Sequence, residues 1–249
     1  MNITLLHLYG DCMNLYGDWG NLALLTRHLT DLGNVVTMET QATEETLRRA
    51  DFLYMGAGTE RNQKLAAELF LPLGDTVKAL AADGVSMLFA GNSMELLGES
   101  VTDAAGGQTA GIRLAAFHTT EGTARIVGDA YGDSPLTTQP VVGFMNKCSR
   151  SEGIETPLLT RLALGYGNDA PLGAEGLHLH NVLGTHLTGP VLVKNPGLTL
   201  SVLTAIYARR GVALPADLPE YPYEQQAYDV TLAQLRRRAG DGNPSRAKA

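Results

Sequence analysis

Residues 84–98 have the pattern of a buried strand, a sharp turn and the first turn of a helix. In α/β hydrolytic folds this arrangement lifts a catalytic nucleophile above the sheet edge, against the positive end of a helix. The apex here consists of Ala90, Gly91 and Asn92, which provide neither a thiol nor a hydroxyl. Cleavage of an unactivated amide needs a nucleophile and a base. The turn therefore has the shape of an active site without the side chain that would attack.

The same turn also has a purely structural interpretation. Glycine at position 91 relieves backbone strain, and Asn92 followed three residues later by Glu95 resembles a capping box that starts a helix. We expect backbone N–H groups near Ala57 and Asn92 to retain an oxyanion hole, because backbone donors do not depend on side chains. Ser93 is the hydroxyl beside the apex, but a helix would turn it away from the direction of a nucleophile.

Other reactive side chains are scattered along the chain. An isolated cysteine such as Cys148 is either a functional thiol or an inert packing residue. His178 and His180 share a strand face but lack a carboxylate partner, so a core or solvated pair is favoured over a metal site. Asp11 and Asp18 are expected to be turn and cap residues rather than acid catalysts. No metal site and no cofactor are predicted.

Composition limits the class of protein. The 249 residues carry a formal net charge of −7, with 44% hydrophobic and 18% charged residues. Nucleic acid is therefore an unfavourable partner. No apolar stretch approaches the ~20 residues of a membrane span, and the first residues lack the basic region of a signal peptide. The two cysteines, Cys12 and Cys148, lie far apart, which indicates reduced thiols. These features predict a cytoplasmic protein without membrane insertion.

Strand and helix patterns alternate through residue 98, which predicts a mostly parallel sheet with helices on both faces. Three later segments have strand patterns without intervening helices and indicate an antiparallel extension; they are residues 110–131, 139–146 and 176–187. Helices are predicted near residues 198–209 and 223–238. We divide the chain into a main α/β domain at 1–210, a linker with a C-terminal helix at 211–240, and a disordered tail at 241–249.

Seven short motifs occur in one order along residues 3–210. They are Leu-Tyr-Gly-Asp-Trp-Gly-Asn (15–21), Gly-Ala-Gly-Thr-Glu-Arg-Asn-Gln (56–63), Gly-Phe-Met-Asn (143–146), Gly-Tyr-Gly-Asn (165–168), Glu-Gly (175–176), Gly-Thr-His-Leu-Thr-Gly-Pro (184–190) and Lys-Asn-Pro (194–196). Together they resemble class I glutamine amidotransferases of the cobyric-acid-synthase type, and most nearly the glutaminase subunits (GatD type) of lipid II isoglutaminyl synthases.

This resemblance implies a flavodoxin-like glutaminase that frees ammonia from glutamine for a Mur-ligase-like partner in a heterodimer. The partner would use ATP to amidate the α-carboxylate of D-glutamate in the peptidoglycan stem of lipid II. The present chain contains no Gly-x-x-x-x-Gly-Lys-Ser/Thr phosphate loop, which agrees with ATP-driven ligation on another chain.

The chain departs from the family pattern at both catalytic positions. Where the family has Cys-Gly-Gly-Tyr-Gln-Leu-Leu-Gly, the cysteine position holds Gly91 and the glutamine position holds Glu95. Where the family has Gly-Thr-Tyr-Leu-His-Gly-Pro, the catalytic histidine position holds Thr188, and a histidine occurs instead at His186. Arg125 matches a family arginine implied in substrate contact, although a surface salt bridge is an equally good interpretation.

The main hypothesis is a non-hydrolytic subunit of this type that supports a ligase partner. A second hypothesis is an active amidotransferase with a relocated dyad, Cys148 with His186. A third is a sensor module that binds glutamine or another amino acid. The candidate substrate-binding residues are Gly56, Ala57, Gly58, Asn92 and Arg125.

Overall fold

Two sheets organise the computed structural model, which describes residues 1–240; the predicted tail at 241–249 lies outside them. The strands are β1 (Asn2–His7), β2 (Val35–Glu39), β3 (Phe52–Met55), β4 (Ser86–Ala90), β5 (Ser100–Thr102), β6 (Gln108–Ala110), β7 (His118–Asp133), β8 (Val141–Glu152), β9 (Arg161–Leu164), β10 (Leu177–Leu179), β11 (Val182–Thr185) and β12 (Leu187–Thr188). The first sheet has the order β10-β11-β4-β3-β1-β2 and is parallel except for its edge strand β10. The flavodoxin-like fold expected from the sequence is thereby confirmed.

Helices cover both faces of this sheet, because alternate residues of its buried strands point to opposite sides. The helices are α1 (Gly20–Asp31), α2 (Glu44–Arg49), α3 (Glu60–Phe70), α4 (Gly74–Ala82), α5 (Val191–Lys194), α6 (Pro196–Arg209) and α7 (Pro222–Ala239). One hydrophobic core joins α1, α5 and α6 to residues such as Leu5 and Leu88, and the other joins α2, α3 and α4 to neighbours such as Leu6 and Met87. None of the helices within residues 1–240 is long and apolar enough to cross a membrane.

The second sheet has the order β12-β8-β7-β5-β6, with β9 paired to β7. Its long antiparallel pair, β7 and β8, corresponds to two of the three segments predicted for the extension, and it carries a register shift between Glu121 and Ile126. The third segment, 176–187, was assigned wrongly, because it contributes β10 and β11 to the first sheet, where β11 runs parallel to β4. The remaining strands are short, and β5 runs parallel to β7. Helix α7 packs against this sheet through Tyr228, Leu232 and Leu235.

Short 3-10 segments interrupt the regular helices. One of them, Leu71–Leu73, contains Pro72 and separates α3 from α4. The segment after β4 is a 3-10 helix, Gly91–Leu97, rather than an α-helix, and none of the described residues caps its start with a side chain. The capping box predicted for Asn92 and Glu95 is therefore wrong: both side chains bond to other segments instead.

Candidate active site

A cavity of about 200 Å³ opens where the carboxyl ends of β3, β4 and β11 meet β7 and β8. Ligands of open α/β sheets bind at this edge, because the loops there are free to vary. Eight of the nine candidate catalytic and substrate-binding residues line the cavity: Ala57, Gly58, Gly91, Asn92, Arg125, Cys148, His186 and Thr188. Gly56 lies behind the wall, where a Cβ would come within 2.7 Å of the Met13 carbonyl oxygen.

The apex of the turn keeps the backbone of a nucleophile elbow. Gly91 has φ of +65°, a left-handed conformation that such elbows impose on their nucleophile. A Cβ built on Gly91 would lie 2.5 Å from the Cβ of Ala57 and 3.4 Å from Cγ2 of Thr188. The first distance is far below van der Waals contact, so the Ala57 methyl group occupies the space that a nucleophile's side chain needs.

The backbone donors expected near Ala57 are occupied. The Ala57 N–H donates to Oδ2 of Asp18 at 2.7 Å, and the Gly58 N–H donates to Oδ1 of Asn92 at 2.9 Å. Backbone donors stabilise an oxyanion only when they point at the position where its charge develops. Both donors of this loop are held by side chains of this chain, which corrects the expectation for the donor near Ala57; the donor expected near Asn92 stays a prediction.

Glu95 and Ser93 have structural partners below the apex. Oε2 of Glu95 accepts from Nε2 of Gln63 at 2.7 Å, and Oε1 accepts from the Ser149 hydroxyl. Ser93 donates to the carbonyl oxygens of Met55 and Ala90. As expected, Ser93 is turned away from the cavity wall that Gly91 forms.

His186 and Thr188 both line the cavity, from one extended segment. Thr188 donates its hydroxyl to the carbonyl oxygen of Phe144 at 3.0 Å. His186 lies between two buried carboxylates: Nε2 is 3.4 Å from Oε1 of Glu95, and Nδ1 is 3.6 Å from Oε1 of Glu175. Neither contact meets hydrogen-bond geometry, so within residues 1–240 both ring nitrogens lack a hydrogen-bond partner.

Arg125 lies at the rim of the cavity. Its guanidinium forms an ion pair with Glu60 and donates to Oδ1 of Asn146 at 3.0 Å. The Glu60 partner raises the pKa of Arg125 further above its usual value. Arg125 therefore forms the salt bridge that was one of its two interpretations. Because the side chain also lines the cavity, it lies within reach of a bound ligand.

Residues 4–196 match the model of the CobB/CobQ-like glutamine amidotransferase domain. The chain belongs to that family. It is 30% identical over 237 residues to "Lipid II isoglutaminyl synthase (glutamine-hydrolyzing) subunit GatD" of Staphylococcus aureus (strain N315), covering 94% of this chain and 97% of the relative. It is 27% identical over 223 residues to the protein of the same name from Streptococcus pneumoniae (strain ATCC BAA-255 / R6), covering 86% of this chain and 85% of that relative.

A solved structure described as a glutamine amidotransferase shares the fold, with a TM-score of 0.51 and 12% identity over 81% of this chain and 98% of that chain. The resemblance drawn from the motifs is thereby confirmed. This chain has glycine at the apex of the turn after β4 and threonine at position 188, the two positions at which the motifs predict the dyad.

Cys148 and His186 line the same cavity, but each faces different carboxylates rather than the other. Sγ of Cys148 lies 3.5 Å from Oε1 of Glu60, whereas His186 faces Glu95 and Glu175. Burial, together with the negative charges of Glu60 and Glu121, raises the pKa of Cys148 to about 11. A thiol with that pKa is protonated at neutral pH, and only the thiolate attacks carbonyl carbon.

We therefore expect Cys148 to be alkylated slowly. In a Cys12→Ser background, iodoacetamide at pH 8 should react about 100-fold more slowly than with an unperturbed thiol, because a pKa of about 11 instead of 9.0 lowers the thiolate fraction by that factor. The rate should keep rising above pH 10, and Glu60→Gln should increase it by removing a neighbouring negative charge. A rate that levels off near pH 9 would contradict this assignment.

Several residues of the site were not singled out from the sequence, or were misjudged. Lys147 is buried, donates to the carbonyl oxygens of Gly167 and Asn168, and has its pKa lowered by burial to about 8. Oε1 of Glu175, in the Glu-Gly motif, accepts from the backbone N–H of His186 at 2.6 Å. The motif was the available signal, but only the fold shows that Glu175 lies beneath His186.

Asp18 was expected to be a cap residue, but it is a buried carboxylate beneath the Gly-Ala-Gly loop. Oδ2 accepts from Ala57, while Oδ1 has no hydrogen-bond partner among residues 1–240. Burial raises the pKa of Asp18 to about 6, and the nearby Lys194 opposes this shift.

His178 lies in β10, and His180 lies in the turn after it. Residues 1–240 contain no group of three or more side chains arranged to hold a metal ion.

The raised pKa of Asp18 predicts a pH-dependent contribution to stability. The folded state holds this proton more tightly than the unfolded state, so the contribution is complete below about pH 4 and is lost as the pH rises through 6. The Asp18→Asn variant should therefore gain stability relative to the unmodified protein between pH 4 and pH 7, by up to about 3 kcal/mol. Urea unfolding at both pH values measures this difference; a difference independent of pH would refute the prediction.

Proposed function

We propose that this chain is a non-hydrolytic GatD-type subunit that supports a Mur-ligase-like partner. The observation that carries the proposal is the apex of the elbow, where Gly91 has no side chain and the Ala57 methyl group fills the space of the missing thiol. Without a nucleophile, the thioester route to ammonia is closed. The occupied donors of Ala57 and Gly58 support the same conclusion, since an oxyanion would find neither of them free.

The proposed context comes from the relatives, both of which are named as subunits of lipid II isoglutaminyl synthase. We infer that the partner is an ATP-dependent, Mur-ligase-like chain that amidates D-glutamate in the peptidoglycan stem of lipid II. The two chains would form a cytoplasmic heterodimer. Because the present chain cannot release ammonia by the usual route, the complex would use free ammonia as its nitrogen donor.

Reconstitution tests this proposal. The chain is co-expressed with the Mur-ligase-like subunit of the same organism, and amidation of a D-glutamate-containing lipid II analogue is followed by mass spectrometry. Ammonium chloride should support amidation and glutamine should not, while the purified chain alone should release no ammonia from glutamine. Omitting the chain should lower the ligase yield or activity. Amidation that depends on glutamine, or a ligase indifferent to the chain, would overturn the proposal.

Two other candidates remain distinguishable. A relocated dyad is favoured only by the fact that Cys148 and His186 line one cavity, and it predicts glutamine hydrolysis that is lost in Cys148→Ser. A sensor module is favoured by Arg125 at the rim of a cavity of amino-acid size. It predicts saturable glutamine binding by calorimetry, without turnover and without a ligase partner.

A further inference from the structure

Negative charge is concentrated in the candidate site. Glu60, Glu95 and Glu121 all line the cavity. Burial and the charges of Glu95 and Glu60 raise the pKa of Glu121, the effect expected of carboxylates that face one another in a partly desolvated space. The cations are engaged elsewhere: Arg125 binds Glu60, and Lys147 donates to two backbone carbonyl oxygens. The carboxylates of Glu95 and Glu121 therefore form no ion pair with a lysine or arginine in the described part of the chain.

His186 provides a second, independent observation. Its side chain is 1% exposed and lines the cavity, and its two ring nitrogens each face a carboxylate oxygen. Neutral imidazole has one N–H and one lone pair. In the tautomer with the proton on Nδ1, that N–H points towards Glu175 behind the cavity wall, and the lone pair of Nε2 lies 3.4 Å from Oε1 of Glu95. Oε1 also accepts from the Ser149 hydroxyl, but no donor lies between it and Nε2, an arrangement that buried polar groups avoid.

We propose that this edge binds a protonated amine, the ammonium ion or the head group of a small primary amine. Such a group brings one positive charge and several N–H donors, which match the acceptors of Glu95, Glu121 and His186. A neutral amide brings no charge, and a potassium ion brings no donors.

The ring nitrogens of His186 report directly on this site. The full-length chain is labelled with ¹⁵N-histidine, and the six histidines are assigned with the aid of His186→Tyr. Ammonium chloride is titrated against potassium chloride at constant ionic strength and pH 7.5. We expect a saturable shift of the Nε2 resonance of His186 with ammonium and none with potassium. Methylammonium and butane-1,4-diamine are titrated in the same way to distinguish the ammonium ion from the head group of a primary amine. If ammonium binds more tightly than the diamine, the ligand is the free ion; if the diamine binds more tightly, the ligand is a head group.

Charge-neutral variants test the acceptors. Glu95→Gln should weaken binding about tenfold or more, as expected when a charged hydrogen-bond acceptor is lost. Glu99→Gln is the matched control, because Glu99 pairs with His118 outside the cavity, and it should leave the affinity unchanged. If Glu95→Gln does not fold by circular dichroism, Glu121→Gln serves instead, since the Glu121 side chain is only half-buried.

Four outcomes would overturn the inference. These are an imidazolium at His186 in the ligand-free protein, an equal response to potassium, binding of glutamine without any response to amines, and equal affinity in Glu95→Gln and Glu99→Gln. The experiment uses the chain alone and does not depend on a ligase partner. Its failure would therefore leave the proposed function standing, and failure of the reconstitution would leave the amine site standing.

Discussion

The double variant Gly91→Cys/Thr188→His is expected to remain without glutaminase activity, although it supplies both side chains of the dyad that the resemblance implies. The reason is steric. A Cβ at position 91 meets the Ala57 methyl group at 2.5 Å, so either the loop or the new thiol must move out of place. A displacement of about 1 Å in a catalytic group is enough to cost about 100-fold in rate.

Adding Ala57→Gly and Asn92→Gly to that variant should produce measurable hydrolysis. The first change removes the clash with the new thiol, and the second releases the Gly58 N–H from Oδ1 of Asn92. One oxyanion donor is worth about 10²–10³ in kcat. The fourfold variant, with all four substitutions, should therefore have a kcat about 100-fold higher than the triple variant that keeps Asn92. The measurement is the rate of glutamate release from glutamine.

The fourfold variant with Gly91→Ser in place of Gly91→Cys is the matched control, because it keeps the volume of the side chain but loses the thiolate. It should fall back to background. If the double variant is as active as the fourfold variant, then Ala57 and Asn92 do not block the site. A folded fourfold variant that binds glutamine without hydrolysing it would show that further changes separate this site from a working glutaminase.

Asn195→Ala is expected to destabilise the protein by about 3 kcal/mol, a large loss for one polar side chain. Oδ1 of Asn195 accepts from the Val142 N–H at 2.8 Å, and Nδ2 donates to the carbonyl oxygens of Val142 and Val191 at 2.8 and 2.7 Å. Alanine would leave three buried backbone groups unpaired. For a chain of this size, the melting temperature should fall by about 10 °C.

Asn181→Ala provides a matched control for this loss. The Asn181 side chain is half-buried and makes one bond, to the Gly84 carbonyl oxygen at 2.8 Å, so its removal should cost about 1 kcal/mol. Urea unfolding of both variants measures the difference. Equal losses would mean that the three bonds of Asn195 do not act together in joining β8 to the segment that begins α6.

The order of elements followed from the sequence alone. Alternating strand and helix patterns indicated the parallel sheet, because burial on both faces requires continuous apolar strands. The turn after β4 was recognisable from local residues, and the prediction that Gly91 and Thr188 stand at the dyad positions needed only the motifs beside them. These are properties of short segments, so the linear chain contains them.

The filling of the site was decided only by the tertiary structure. The Ala57 methyl group contacts Gly91, and the Asn92 side chain binds Gly58; both pairs are 34 residues apart in sequence. Asp18 and Ala57 are 39 residues apart. Glu95, His186 and Glu175 meet from three separate segments. Local patterns carry no information on such distances. The prediction of a capping box at Asn92 and Glu95 failed for this reason, since contacts from other segments outweighed a local hydrogen-bonding preference.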